Sequence, residues 1–134
     1  METKILVVDD SAVIRHVVSQ GLAGKGYEVR TAINGYEGLQ ILREENVDAV
    51  ISDYCMPVMN GYAFLEAVRK DFPDLPFIFF TSEIDRYIST NLKDQWCCLV
   101  PKTGSIDSLD EVLEQITAVG DRSEPKHQED TACL

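Results

Sequence analysis

Five polar residues of this chain stand where short apolar runs end. Asp9 and Asp10 follow Ile5-Leu-Val-Val8, Asp53 follows Ala49-Val-Ile-Ser52, Thr81 follows Phe77-Ile-Phe-Phe80, and Lys102 comes just after Cys97-Cys-Leu-Val100. Three carboxylates drawn to one place repel one another and resist ionisation, so a divalent cation is their natural partner. Magnesium suits them best, because it takes a few carboxylate oxygens, keeps several waters and commonly completes its octahedron with a phosphate oxygen. Lys102 then offers a compact positive charge, and Thr81 a hydroxyl, to an oxyanion resting on the metal. Together these are the parts for phosphoryl transfer to a carboxylate, with Asp53 as nucleophile. Taken singly, each has a plainer reading. Asp9-Asp10 would cap a helix, Asp53 would open a turn before Met56-Pro57, Thr81 would be a β-branched strand residue and Lys102 a surface charge. Their ordered coincidence at four strand ends carries the chemical reading.

Those strand ends require a scaffold. The four apolar runs, with a weaker one at Glu28-Val-Arg-Thr-Ala32, read as five strands. Near-continuous apolarity fits strands covered on both faces, as in parallel sheets, whereas the alternation of Val29 with Arg30 suggests an edge. Helical spacing joins Ile14, Val17, Val18 and Leu22, then Ile84, Tyr87, Ile88 and Leu92, then Leu109, Val112, Leu113 and Ile116. Two further helices are expected around Leu39–Leu42 and around Phe64, Leu65, Val68 and Phe72, with Gly24-Lys-Gly26 and Pro73-Asp-Leu-Pro76 as terminators. Ser108 and Glu111 have capping-box spacing, which predicts the start of the last helix there. Five alternations of strand and helix predict an α/β fold with a doubly wound, five-stranded parallel sheet and right-handed crossovers. In such a sheet the carboxyl ends share one edge, and ligands bind where the strand order reverses.

At 134 residues and 45% hydrophobic content, one domain with a continuous core is expected. A formal net charge of −11 excludes a nucleic-acid surface, which needs clustered Lys and Arg. The start of the chain has neither the length nor the flanks of a signal peptide, and no apolar run is long enough for membrane insertion. Cys55, Cys97, Cys98 and Cys133 lack metal-ligand spacing, so reduced thiols and a cytoplasmic location are expected. His16 reads as solvent-facing, and Tyr54, Tyr87 and Trp96 as packing or surface aromatics. The polar stretch from Gly120 onward has no apolar period and reads as a disordered tail or linker stub.

Asp9-Asp10, Asp53-Tyr-Cys-Met56-Pro57 with Gly61, Thr81-Ser82 and Lys102 together resemble the receiver domain of response regulators, over roughly residues 4 to 118. The resemblance implies a flavodoxin-like fold with strand order 2-1-3-4-5 and five helices, a receiver over residues 1–119 and a tail over 120–134. It implies Asp53 as phosphoacceptor, Asp10 as a direct magnesium ligand, Asp9 as one acting through water, and Cys55 as the donor of a backbone carbonyl. Thr81 resembles the switch hydroxyl and Lys102 the lysine that pairs with the phosphoryl group. Ser82 keeps the entrance open, while Glu83 and Cys55 occupy positions that tune the lifetime of the phosphoryl group. The implied donor is a histidine kinase or histidine phosphotransfer protein, and the output is contact with an unidentified downstream protein. Such a chain is no turnover enzyme, since it catalyses only its own phosphorylation and dephosphorylation.

Three departures from the family pattern lie around the fifth strand. Leu99 stands where Tyr or Phe is usual, Pro101 precedes Lys102 where the family places proline after the lysine, and Asp94-Gln-Trp-Cys97 replaces a small pair. The displaced proline predicts an altered loop around Lys102. These features support a second reading, a pseudo-receiver that docks without being phosphorylated; retention of all three acids, Thr81 and Lys102 speaks against it. A phosphatase of the haloacid dehalogenase type needs a second acid where Cys55 stands. A flavin protein needs a phosphate cradle that the acidic loop Asp9-Asp-Ser-Ala-Val13 does not supply.

Overall fold

The computed structural model describes residues 3–81, 98–102 and 106–118. Five strands, β1 (Lys4–Val8), β2 (Glu28–Ala32), β3 (Ala49–Ser52), β4 (Phe77–Thr81) and β5 (Cys98–Pro101), alternate with helices α1 (Ala12–Gly24), α2 (Gly35–Glu44), α3 (Gly61–Asp71) and α4 (Ile106–Ala118). All neighbouring strands are parallel, in the order β2-β1-β3-β4-β5. The expected sheet is therefore present, with Glu28–Ala32 at an edge as its alternating polarity suggests. The helix expected around Ile84 to Leu92 lies outside the described residues, as does the stretch from Gly120 onward.

Strand alternation divides the core in two. Leu6, Val8, Val50, Phe77 and Phe79 face one side and pack with Leu39 and Leu42 of α2 and Phe64, Leu65 and Val68 of α3. Ile5, Val7, Ala49, Ile51, Ile78 and Phe80 face the other and pack with Val18 and Leu22 of α1 and Leu109, Val112 and Leu113 of α4. This two-sided burial accounts for the unbroken apolar runs of the central strands. Among the described residues, no helix is long and apolar enough to cross a membrane.

Side-chain caps fix where helices begin. Ser11, Asn34 and Asn60 accept the N–H groups of Ile14, Glu37 and Ala63, each a contact worth about 1 kcal/mol. The last helix begins earlier than its capping-box spacing predicts: Ile106 is already helical, and Ser108 lies inside the first turn. Tertiary contacts prevail there, since Ile106 packs against the α1-side core and Asp110 accepts the Tyr27 hydroxyl at 2.8 Å.

One backbone position is strained. Val58 has φ 73°, and the N–H of Met59 donates to the carbonyl of Pro57 at 2.7 Å across it, a γ-turn of the positive-φ kind. A β-branched residue is poorly suited to that region, and Val58 is 75% exposed, so packing offers no compensation. Val58→Gly is expected to raise folding stability by about 1 kcal/mol, because strain of roughly 1–3 kcal/mol is relieved against a glycine entropy cost of about 0.5–1. Urea unfolding checks this; an unchanged or lower midpoint contradicts it.

Candidate functional site

The site follows from strand register. Val8 of β1 pairs with Ser52 of β3, so the next residues, Asp9 and Asp53, leave the sheet side by side. The Asp53 N–H donates to the Val8 carbonyl at 3.0 Å and that of Asp9 to the Ala32 carbonyl at 3.1 Å, which extends the ladder past both strand ends. Thr81 closes β4 opposite Pro101, and the Lys102 N–H donates to the Thr81 carbonyl at 3.1 Å. Four chain segments thus deliver their polar residues to one rim.

There, Asp9, Asp10 and Asp53 each present a carboxylate oxygen within 4.8 Å of the others. Asp9 is 2% exposed and Asp53 7%, while Asp10 is exposed. The Lys102 ammonium lies 3.1 Å from an oxygen of Asp9 and 3.1 Å from one of Asp53. The displaced proline therefore does not carry Lys102 away from the acids. Three carboxylates against a single ammonium leave a local surplus of two negative charges, which a divalent cation would neutralise. The chemistry of the donor set fits magnesium: hard oxygen ligands, one of them open to water.

Burial pulls the Lys102 ammonium down, and its hydrogen bonds to Asp9 and Asp53, with their charges, outweigh that and hold its pKa above the usual lysine value. Burial pushes the Asp9 carboxyl up; the Ser11 N–H and Lys102 oppose it without cancelling it. The two directions are compatible, because one cation is shared between two anions. The folded protein then binds the Asp9 proton more tightly than the unfolded chain does. Asp9 therefore costs stability that is absent in acid and grows as pH rises from 3.8 through its raised folded value. Asp9→Asn is expected to melt higher than wild type at neutral pH without magnesium, and to lose most of the stabilisation that added magnesium gives. Scanning calorimetry with and without magnesium tests both halves.

Local contacts fix this geometry. The Ser11 N–H donates to Asp9 Oδ1 at 2.9 Å, and Arg15 Nη1 donates to the Asp9 carbonyl at 2.8 Å. The Cys55 N–H approaches Asp53 Oδ1 at 3.4 Å. Gly61 is required by close approach: a Cβ there would come within 2.6 Å of the Asp53 carbonyl oxygen, the Tyr54 Cα and the Phe79 ring. Tyr54 is a packing aromatic, edge-on to Phe79 with ring centroids 5.3 Å apart. Thr81 is fully buried at the end of β4, two strands from Asp9. Leu99 pairs with Phe79 in the β4–β5 ladder, and its side chain, like all of Ser82 and Glu83, lies outside the described residues. The Arg15 contact is the part that the sequence reading missed; its one signal was a basic residue six positions after Asp9, on the second turn of a helix.

A family model described as "Response regulator receiver domain" matches residues 5–114. The chain belongs to that family. It is 46% identical over 79 residues to "Probable transcriptional regulator ycf27" of Porphyra purpurea, covering 59% of this chain and 32% of that protein. Among solved structures, chemotaxis protein CheY4 of Vibrio cholerae superposes with a TM-score of 0.81 at 33% identity, over 87% of this chain and 99% of that one. Response regulator protein TrrA of Thermotoga maritima, solved in complex with Mg2+-BeF, superposes with a TM-score of 0.78 at 32% identity, over 85% of this chain and 98% of that one. The receiver spans about a third of the length of the curated relatives it matches. Receiver domains are signalling modules of two-component systems, and this chain has both the sheet order and the acidic rim expected of one.

Proposed function

We propose that this receiver accepts a phosphoryl group on Asp53 from the phosphohistidine of a histidine kinase or histidine phosphotransfer protein, and passes the signal on through protein contacts. The observation that carries this reading is the convergence of Asp9, Asp10, Asp53 and Lys102 on one rim. Magnesium would be held by Asp10 and Asp53, by Asp9 through water, and by the backbone carbonyl of Cys55. When bound, it supplies neutralisation of the negative charge that develops on the phosphoryl oxygens. The rest falls to the chain itself. An Asp53 carboxylate oxygen attacks phosphorus; the P–N bond of the donor breaks, its electron pair stays with the imidazole, and an acyl phosphate forms. Lys102, already between Asp9 and Asp53, moves its charge onto a phosphoryl oxygen, and the Thr81 hydroxyl donates a hydrogen bond to another. Asp53 being nearly buried keeps water from much of the new bond.

A receiver used only for docking would gain nothing from an ammonium held 3.1 Å from two buried carboxylates at the cost of desolvating all three groups. The intact cluster therefore favours phosphorylation over the pseudo-receiver reading. The test is incubation with phosphoramidate and millimolar magnesium, read by intact mass. One added phosphoryl group, lost on chelation with EDTA before the donor is added, is the expected result. Wild type that stays unlabelled would sink the proposal.

A further inference from the structure

Asp53 lies at the floor of its rim, 7% exposed, so a protein donor can bring phosphorus in line with it only by covering the loops around it. A contact patch of ordinary size, about 800 Å² per partner, is a disc of roughly 16 Å radius. The loop that leaves Asp53 lies within such a disc, and it carries Val58. This residue combines two features that the fold does not explain: a backbone in the positive-φ region and a β-branched side chain that is 75% exposed. Strain of that kind gathers where function holds it in place.

Val58 is not isolated. The next residue, Met59, packs so closely on Gly35 that a Cβ at that glycine would come within 2.5 Å of its sulfur. This contact pins the Asp53 loop to the start of α2, where Tyr36 is 59% exposed and Ile33 48%. Of the large hydrophobic residues exposed among those described, these three share the α2 side of the rim, while Val13 and Val17 belong to α1. The surroundings are acidic, with Asp10 and Glu37 nearby in sequence and exposed, on a chain of net charge −11.

Resting on the phosphoacceptor reading above, we infer that Val58, Tyr36 and Ile33 form a recognition surface for the phosphodonor protein, and that it receives a donor face with apolar residues flanked by Lys or Arg. Apolar anchors set how long such a partner stays, while complementary charge sets how fast it arrives and makes that rate fall with salt.

The experiment compares wild type, Val58→Gly and Tyr36→Ser. Each is labelled with phosphoramidate and magnesium, and separately by the histidine kinases and phosphotransfer proteins of the source genome, purified and loaded from ATP. The expected result is small-donor labelling within about twofold of wild type for both variants, with transfer from the most active protein donor slowed about tenfold or more. Val58→Gly, which relieves strain, would then be more stable and yet slower, a pairing that damage to the fold does not produce. Equal protein-donor transfer to all three overturns the inference, as does efficient small-donor labelling with no protein donor able to transfer. Sedimentation showing wild-type self-association that Val58→Gly abolishes would assign the surface to a second copy instead. Failure of wild type to take label from phosphoramidate would overturn the phosphoacceptor reading itself, and this surface with it.

Discussion

Asp53→Asn is expected to take up no phosphoryl group from phosphoramidate at any magnesium concentration, a loss on the order of 10³-fold or more in labelling rate. The reason is local. An amide nitrogen has its lone pair delocalised into the carbonyl, and the amide oxygen carries no full charge to offer phosphorus. No neighbour can replace it in place: Asp9 is 2% exposed and already holds the Ser11 N–H and the Lys102 ammonium, and Asp10 faces solvent. The substitution is nearly isosteric, so the Asp53 backbone bond to Val8 and the close approach at Gly61 should survive. Intact mass after incubation decides the matter, with circular dichroism confirming the fold. Label retained at more than a few per cent of the wild-type level, localised to Asp9 or Asp10, would show that the nucleophile has been misassigned.

Much of this arrangement was legible in the sequence, because parallel strands buried on both faces leave unbroken apolar runs and any polar residue that closes one stands out. The ends of Ile5–Val8 and Ala49–Ser52 therefore point to Asp9 and Asp53 directly. That these two strands are neighbours is not written in their composition; it came from the family pattern, and the structure bears it out in the pairing of Val8 with Ser52. Three features were hidden for different reasons. The start of α4 is governed by Ile106 packing into the core, a tertiary contact that capping statistics at Ser108 cannot register. Arg15 acts through a main-chain carbonyl, which any residue at position 9 would provide. The γ-turn at Val58 is the inverse of what a β-branched residue predicts, so local preference pointed away from it.

Pro101 shows how a sequence departure can be structurally silent. β5 is an edge strand, paired only with β4 among the described strands. The Lys102 N–H turns toward β4 and donates to Thr81, and successive strand residues point their N–H groups to opposite sides. The missing N–H of Pro101 therefore falls on the open side of the sheet, where proline is tolerated. The strand keeps its register up to Lys102, and the ammonium reaches the acids.

That placement makes Lys102→Met the second large prediction, with opposite signatures in the two magnesium states. In the wild-type protein one ammonium is shared by two nearly buried carboxylates. Removing it strands those charges beside Asp10, and leaving a buried charge unpaired costs roughly 3 kcal/mol, reduced here because the lysine side chain retains 18% exposure. Part of that cost is avoided if Asp9, already pushed up by burial, takes a proton. Magnesium-free Lys102→Met should thus melt well below wild type, and the gap should widen as pH rises. Added magnesium should close most of it, because the cation meets the same carboxylates. Labelling by phosphoramidate should nonetheless stay slow at saturating magnesium, by about 10²-fold, since nothing else then pairs with the phosphoryl oxygen that Lys102 would hold. Lys102→Arg should rescue stability better than rate, because a planar fork keeps the charge without the compact geometry of an ammonium. A methionine variant labelled at the wild-type rate would place Lys102 among structural residues and leave the metal site to perform the transfer without it.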